Sequence, residues 1–283
     1  MTPNVSNVSS FVGGAQVQAN GIRQHFLRYS PKTEEAPTLV VMPGITSPAV
    51  TWGFVAERLG RRYDTYVLDF RGRGLSSSGT GLDYSIDTLA DDLNEFLRVR
   101  SLQTSILMGH SMGARVIARM LAKGTAMPPG LVLIDPPMSG PGRPKYPYEL
   151  SSYLEAIAWA QRGCSAEDLR GALPTWSHEH RALRAEWLHT CDPRAVTAAH
   201  DAFHAECILQ DVPHLRAPTL LMTAEHGGVV SAEDVERIHD SSECVQHVRI
   251  PDAGHMIPWD NVSAFHAALD PFLSTHSKGT LWP

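Results

Sequence analysis

Long apolar runs are missing. No stretch of about eighteen apolar residues occurs in the 283-residue chain, so no membrane-spanning helix is expected. The first ten residues, Met1 to Ser10, hold neither Lys nor Arg and lead into no apolar stretch, so a secretory leader is not expected. Cysteine is scarce: Cys164, Cys191, Cys207 and Cys244 are scattered with no Cys-x-x-Cys pair, which excludes a zinc ribbon and a dithiol redox motif. They read as reduced thiols, which places the chain in the cytoplasm. There the Asn-Val-Ser triplets at Asn4, Asn7 and Asn261 carry no glycosylation. Positive charge is also short, with 24 Lys and Arg against 30 Asp and Glu and a net charge of −6. Without clustered cations to neutralise phosphates, nucleic acid is not an expected partner. Internal repeats and low-complexity tracts are absent.

What remains is an ordinary globular composition, 43% apolar and 19% charged, enough for a sheet buried on both faces. Two strands, Gln16 to Gln18 and Ile22 to Tyr29, flank Asn20-Gly21, a hairpin turn pair. Short apolar runs then alternate with helical spacing. Strands are expected at Thr38 to Met42, Thr65 to Asp69, Ser105 to Met108 and Leu131 to Ile134. Helices are expected at Val50 to Leu59, Ser85 to Arg98 and Met112 to Lys123. That alternation implies a mostly parallel sheet with right-handed crossovers and helices on both faces, the α/β class. It stops at Pro136-Pro137 and resumes with strands Thr219 to Met222 and Cys244 to Ile250 and a helix over Val262 to Phe272; the tail from Ser274 is expected to be loose. The expected organisation is a core of residues 1–135 and 213–283, with eight strands, and a helical cap, 136–212, inserted after the sixth.

Gly109-His110-Ser111-Met112-Gly113 sits between an expected strand and an expected helix, the context a Gly-x-Ser-x-Gly nucleophile elbow requires. The turn is tight enough to demand small residues two before and two after the serine, and it places the hydroxyl at a helix N-terminus, where negative charge is favoured. A serine hydroxyl is a weak nucleophile and needs a base. Among 14 histidines, His255 in Ala253-Gly254-His255 follows the last strand and can reach back over the elbow. His110 is read as packing within the elbow, His200 and His204 as a solvated helix face and not a metal pair, and His178 and His180 as surface residues.

The acid departs from the usual pattern. It normally follows the strand at Thr219 to Met222, but Gly227 stands at that position. Two carboxylates remain open: Asp135, at the end of the preceding strand, and Glu225. Both satisfy a triad defined by geometry and not by chain position. Two backbone N–H groups, of Met112 and of Ile45 in the Pro43-Gly44-Ile45-Thr46 loop, are the candidate oxyanion donors. Asp69-Phe-Arg71-Gly-Arg-Gly74 is glycine-rich but has Ser77 at the third glycine position of a dinucleotide fingerprint, so it reads as a structural loop with Arg71 in a salt bridge.

The elbow, the Asp-x-Arg-Gly-x-Gly loop and the late Gly-His together resemble the α/β-hydrolase superfamily. Further segments, among them Pro43-Gly-Ile-Thr-Ser-Pro48, Asp135-Pro-Pro, Ser139-Gly-Pro-Gly-Arg143, Arg184-Ala-Glu-Trp-Leu-His-Thr-Cys191 and Gly254-His-Met-Ile-Pro-Trp-Asp260, are similar to the N-formylmaleamate deformylases of aerobic nicotinate degradation. The likeness runs from about residue 15 to 272, cap included. It implies an amidohydrolase that takes a small anionic amide, releases formate through a formyl-serine intermediate and needs no metal or organic cofactor, with Asp135 as the acid. A substrate carboxylate implies a cationic clamp, for which Arg143 at the cap entrance is the candidate, with Trp52 and Trp187 as pocket walls. An esterase or a carbon–carbon bond hydrolase would use the same triad on another small acid. A non-catalytic receptor on this fold would not need an activated nucleophile.

Overall fold

The computed structural model describes residues 9–31, 33 and 35–277. Strands β1 (Phe11–Ala19) and β2 (Ile22–Tyr29) form the hairpin, turning at Asn20 with φ 45° and Gly21 with φ 74°. The chain then runs through β3 (Thr38–Met42), α1 (Gly53–Leu59), β4 (Asp64–Leu68), α2 (Ile86–Val99), β5 (Ile106–His110), α3 (Met112–Ala122) and β6 (Leu131–Ile134). Helices α4 (Leu150–Gln161), α5 (His178–Trp187) and α6 (Pro193–Ala205) follow before the chain returns to the sheet. It finishes through β7 (Thr219–Ala224), α7 (Ala232–Ser241), β8 (Val245–Ile250), the single turn α8 (Ile257–Asp260) and α9 (Val262–His276). The eight strands form one sheet in the order β1-β2-β4-β3-β5-β6-β7-β8, antiparallel at β1–β2 and β2–β4 and parallel elsewhere.

Period-two alternation divides the core. Val40, Met42, Leu107, Leu131, Leu133 and Leu221 face the side covered by α2 and α3. Leu39, Val41, Ile106, Met108, Val132, Ile134, Leu220 and Met222 face the side covered by α1 and α9. In α2 the spacing Ile86, Leu89, Ala90, Leu93, Phe96, Leu97 makes a single apolar stripe. Ser85 caps it, its hydroxyl accepting the Thr88 N–H. Each fully buried Leu, Ile or Phe of that stripe contributes roughly 1.5–3 kcal/mol, more than the cap, so packing holds the helix and the cap sets where it starts.

The glycine-rich loop after β4 ties these layers together. The Asp69 carboxylate accepts from Ala49 N–H (2.6 Å) and Leu75 N–H (3.1 Å) and meets His25 Nδ1 at 2.7 Å. Arg71 donates to buried Asp92. Arg73, also buried, donates to the carbonyls of Ile45, Arg71 and Ala195, so it joins the loop after β3 to α6. The helices between β6 and β7 are anchored there as well: Asp192 caps α6, donates its N–H to Gly72 O (2.8 Å) and accepts from Ser78.

Three expectations need adjustment. Ser274 to His276 are the last residues of α9 and not loose; 278–283, like Asn4 and Asn7, lie outside the described residues. His200 is buried against the Tyr146 ring and bonds the Tyr148 carbonyl at 3.0 Å, so it is not on a solvated face. Strand β1 extends to Phe11, beyond the period read around Gln16. No helix among the described residues is long and apolar enough to cross a membrane.

Asp92→Asn leaves the Arg71 charge buried against a neutral partner, and urea unfolding is expected to show a loss of about 3–5 kcal/mol. Arg58→Gln removes the exposed 2.8 Å pair with Asp270 and is expected to lose less than about 1 kcal/mol.

Candidate active site

The nucleophile elbow is built on backbone contact. Ser111 stands between β5 and α3 at φ 53°, a conformation an L-residue adopts only where its surroundings enforce it. A Cβ on Gly109 would stand 2.6 Å from the Gly113 backbone, and one on Gly113 would collide with the Met42 carbonyl. The end of β3 therefore lies directly against the turn. The loop that follows crosses over the serine: a Cβ on Gly44 would be 3.5 Å from Ser111 Cβ and 3.0 Å from His110 Nδ1. The cavity that holds Ser111 is lined on this side by Gly44, Ile45 and Thr46. Met112 is the first residue of α3, where backbone N–H groups have no intrahelical partner.

Lateral hydrogen bonds set the neighbouring strand ends. Ser111 N–H donates to Ile134 O and Asp135 N–H to Met222 O, both at 2.8 Å. Asp135, at φ 45°, turns its carboxylate toward the loop after β8. There His255 Nδ1 lies 2.7 Å from Asp135 Oδ2, and His255 Nε2 lies 3.0 Å from Ser111 Oγ. Asp135 Oδ1 accepts the Ala224 N–H at 3.1 Å. With Nδ1–H donated to the carboxylate, Nε2 is left to accept the serine proton. Ser111, Asp135 and His255 are all buried.

Glu225 is elsewhere. It accepts from the Asp252 N–H at 3.0 Å, lies near Arg249 and makes no hydrogen bond to the imidazole. Gly227 occupies the ground where the later acid would stand: a Cβ there would be 3.1 Å from Asp135 Oδ2 and 2.9 Å from Ala224 Cβ. The carboxylate supplied from β6 already fills that volume.

His110 packs behind the triad, as its sequence position suggested. Its Nε2 meets the His255 carbonyl at 2.9 Å, and burial followed by the nearby His255 pushes its pKa down to about 3, so it is a neutral support for the loop carrying His255.

Ser111 and His255 line a cavity of about 440 Å³, a size suited to a small ligand. The three expected substrate contacts do not line it. Arg143 is drawn to Asp234 at the start of α7 and forms an ion pair there. Trp52 is wholly buried in the core, edge-on to Trp259 at 5.0 Å. Trp187 faces a separate cavity beside His25, Pro48 and Val50. The residues found in their place are Trp176, stacked on Trp259 at 5.2 Å, together with Tyr148, Tyr153 and Arg184. Tyr146 lies deeper, its hydroxyl 3.5 Å from His255 Nε2 and 3.1 Å from the Tyr153 hydroxyl; burial raises its pKa well above the ordinary phenol value, so it stays protonated. Nothing in the period of the 136–212 sequence marks these side chains, because which face of a helix between β6 and β7 meets the sheet layers depends on how that helix is packed. Among the described residues, the one cluster with metal-ligand spacing is Glu225, His226 and Asp252, largely exposed at the rim.

His110 and buried His266 have folded pKa values lowered by burial to about 3 and about 4, below the ordinary 6.5. The unfolded chain thus binds more protons below pH 6.5, and stability falls with acidification through that window. The urea midpoint is expected to drop between pH 6.5 and 4 and to drop less in His266→Gln; equal slopes in the two proteins would contradict the assignment.

The α/β-hydrolase fold family matches residues 37–262. N-formylmaleamate deformylase of Pseudomonas putida is 51% identical over 266 residues, which is 94% of this chain and 98% of that protein. A solved structure of N-formylmaleamic acid deformylase, also from Pseudomonas putida, is 46% identical, has a TM-score of 0.85 and covers 90% of this chain and 99% of that one. E-2-(acetamidomethylene)succinate hydrolase shares the fold at 21% identity, with a TM-score of 0.74 over 93% of this chain and 99% of that one. With the mostly parallel eight-stranded sheet and a buried serine at its elbow, these matches place the chain in one family: it belongs to the α/β hydrolases.

Proposed function

We propose that the protein hydrolyses the formyl C–N bond of N-formylmaleamate, giving maleamate and formate. The observation that carries this reading is the length of the 51% match, which spans 98% of the deformylase and so includes the helices over the cavity as well as the core. A core-only likeness would support the fold and no substrate.

In the proposed mechanism Ser111 Oγ attacks the formyl carbon while His255 Nε2 takes its proton. Asp135 holds the imidazole in the tautomer this requires and offsets the charge of the imidazolium. The N–H groups of Ile45 and Met112 stabilise the tetrahedral oxyanion; one such donor contributes about 3–4 kcal/mol. As the intermediate collapses, the imidazolium gives its proton to the departing nitrogen. That nitrogen is the amide of maleamate, whose carbonyl delocalises the electron pair it receives, so it leaves more readily than an amine. Water, activated by His255, then attacks formyl-Ser111 and releases formate. His255 returns that proton to Ser111 Oγ as formate leaves; every proton transfer thus runs through His255, so the chemistry requires neither metal nor organic cofactor.

In this reading residues 1–135 and 213–283 supply the catalytic core and 136–212 the cap that selects a small anionic amide. Neither nucleic acid nor membrane enters as a partner. We place the enzyme in the cytoplasm, where Cys164, Cys191, Cys207 and Cys244, all free thiols, persist.

Formate release from N-formylmaleamate, followed with a formate dehydrogenase coupled assay, is expected to depend wholly on Ser111 and His255, and Ser111→Ala and His255→Ala to abolish it. Asp135→Asn is expected to lower kcat by about 10⁴, the cost of a wrongly oriented imidazole. Glu225→Gln is expected to stay within about twofold of the parent, well under the tenfold that 1.36 kcal/mol represents. The opposite ranking of the two acids would overturn the role given to Asp135, and ester turnover without formate would discard the substrate.

A further inference from the structure

Arg184 is the one Lys or Arg that lines the catalytic cavity among the described residues. It projects from α5, and the part of its side chain that is not packed opens onto the cavity shared with Ser111 and His255. No carboxylate of the described residues lies within ion-pair distance of it. Of the acids on the cavity wall, Asp260 is engaged with Gly254 N–H (3.0 Å) and Thr175 Oγ1 (2.7 Å), and Asp252 is exposed at the rim.

A guanidinium has five N–H donors. Two are in use: Nη1 donates to the Thr46 carbonyl and Nη2 to Thr46 Oγ1 at 3.0 Å. Nε–H and the second hydrogens of the two Nη atoms remain, the set that a planar carboxylate engages with two parallel bonds. Arg73 and Arg181 make the contrast. Both are buried and neither lines this cavity; their donors end on backbone carbonyls, those of Ile45 and Trp176 among them, and on Met112 Sδ. Burial also lowers the Arg184 pKa, the signature of a cation short of solvent and of a counter-charge.

We propose that Arg184 is the receptor for the substrate's carboxylate, and that by its bonds to Thr46 it fixes that carboxylate to the loop whose Ile45 N–H faces the reacting carbonyl. An anion seated on Arg184 supplies the missing counter-charge. It also sets the distance from the carboxylate end to the oxyanion donors, because Arg184 is bonded to Thr46, the neighbour of Ile45. The identity of the anion rests on the deformylase reading; the existence of an anion site in the cavity does not.

The test compares N-formylmaleamate with its neutral methyl ester, in the parent protein and in Arg184→Gln and Arg184→Lys. The parent is expected to favour the acid. Arg184→Gln is expected to reduce that preference, as a ratio of kcat/KM values, by roughly 10- to 100-fold, mostly through KM, as loss of a charge-assisted hydrogen-bond pair implies. Arg184→Lys, which keeps the charge and loses the fork, is expected to fall between. An equal loss on acid and ester would overturn the proposal and leave Arg184 as a support for the Thr46 loop. Maleate inhibition of p-nitrophenyl acetate hydrolysis separates the two readings. If the parent releases no formate from either compound, the deformylase reading fails. Arg184 is then judged on whether Arg184→Gln raises the maleate Ki by a similar factor; an unchanged Ki contradicts the anion site.

Discussion

The space beside Gly113 governs the site. A side chain there would run into the carbonyl of Met42, so only glycine lets the end of β3 press against the start of α3. That contact is what allows the chain to turn at Ser111 with φ 53° and to present the hydroxyl at the head of a helix. It also draws the Pro43–Thr46 loop across the serine, where backbone N–H groups can meet developing charge without any side chain reorganising. Parallel pairing then carries the position sideways. The bonds Ser111 N–H to Ile134 O and Asp135 N–H to Met222 O fix the ends of β5, β6 and β7 at one level, and the carboxylate and imidazole follow from it.

The carboxylate that meets the imidazole stands at the end of β6 and not in the loop after β7. Asp135 reaches the same Nδ1 at 2.7 Å, while its second oxygen is held by the Ala224 N–H. Gly227 is the complement of that choice, since a Cβ at 227 would press on the Asp135 carboxylate. The strained φ of Asp135 is tolerated by a residue type that visits left-handed backbone more readily than most, and the lateral bond to Met222 holds it there.

Much of this was legible in the sequence. Short apolar runs between turn signals gave the strands from β2 onward to within a residue or two, because burial on both faces leaves no other composition for the central ones; β1, largely exposed, was read five residues short. The elbow was legible because its glycines answer a steric demand that is local. The choice between Asp135 and Glu225 was not, since it depends on where two strand ends sit relative to one imidazole. The cavity wall was the least legible part. Arg143, Trp52 and Trp187 are chemically suitable, yet they are directed to Asp234, to the core and to another cavity, whereas Arg184, Trp176, Tyr146 and Tyr153 face the triad. Helical period tells which face of α5 is apolar; it does not tell which polar residue the docked cap aims inward.

The layers thus divide the work. The sheet and its elbow fix Ser111, Asp135 and His255, and the segment between β6 and β7, tied to the rest by Asp192, Arg73 and Arg184, walls a cavity of about 440 Å³ beside Ser111 and His255. The central claim is that catalysis passes through a covalent bond to Ser111. It is tested most directly by acid-quenching the enzyme during turnover of N-formylmaleamate and mapping the modified peptide by mass spectrometry. The account requires a formyl ester on the peptide that contains Ser111, absent from Ser111→Ala. Formate production with no adduct on that peptide, persisting in Ser111→Ala, would contradict it.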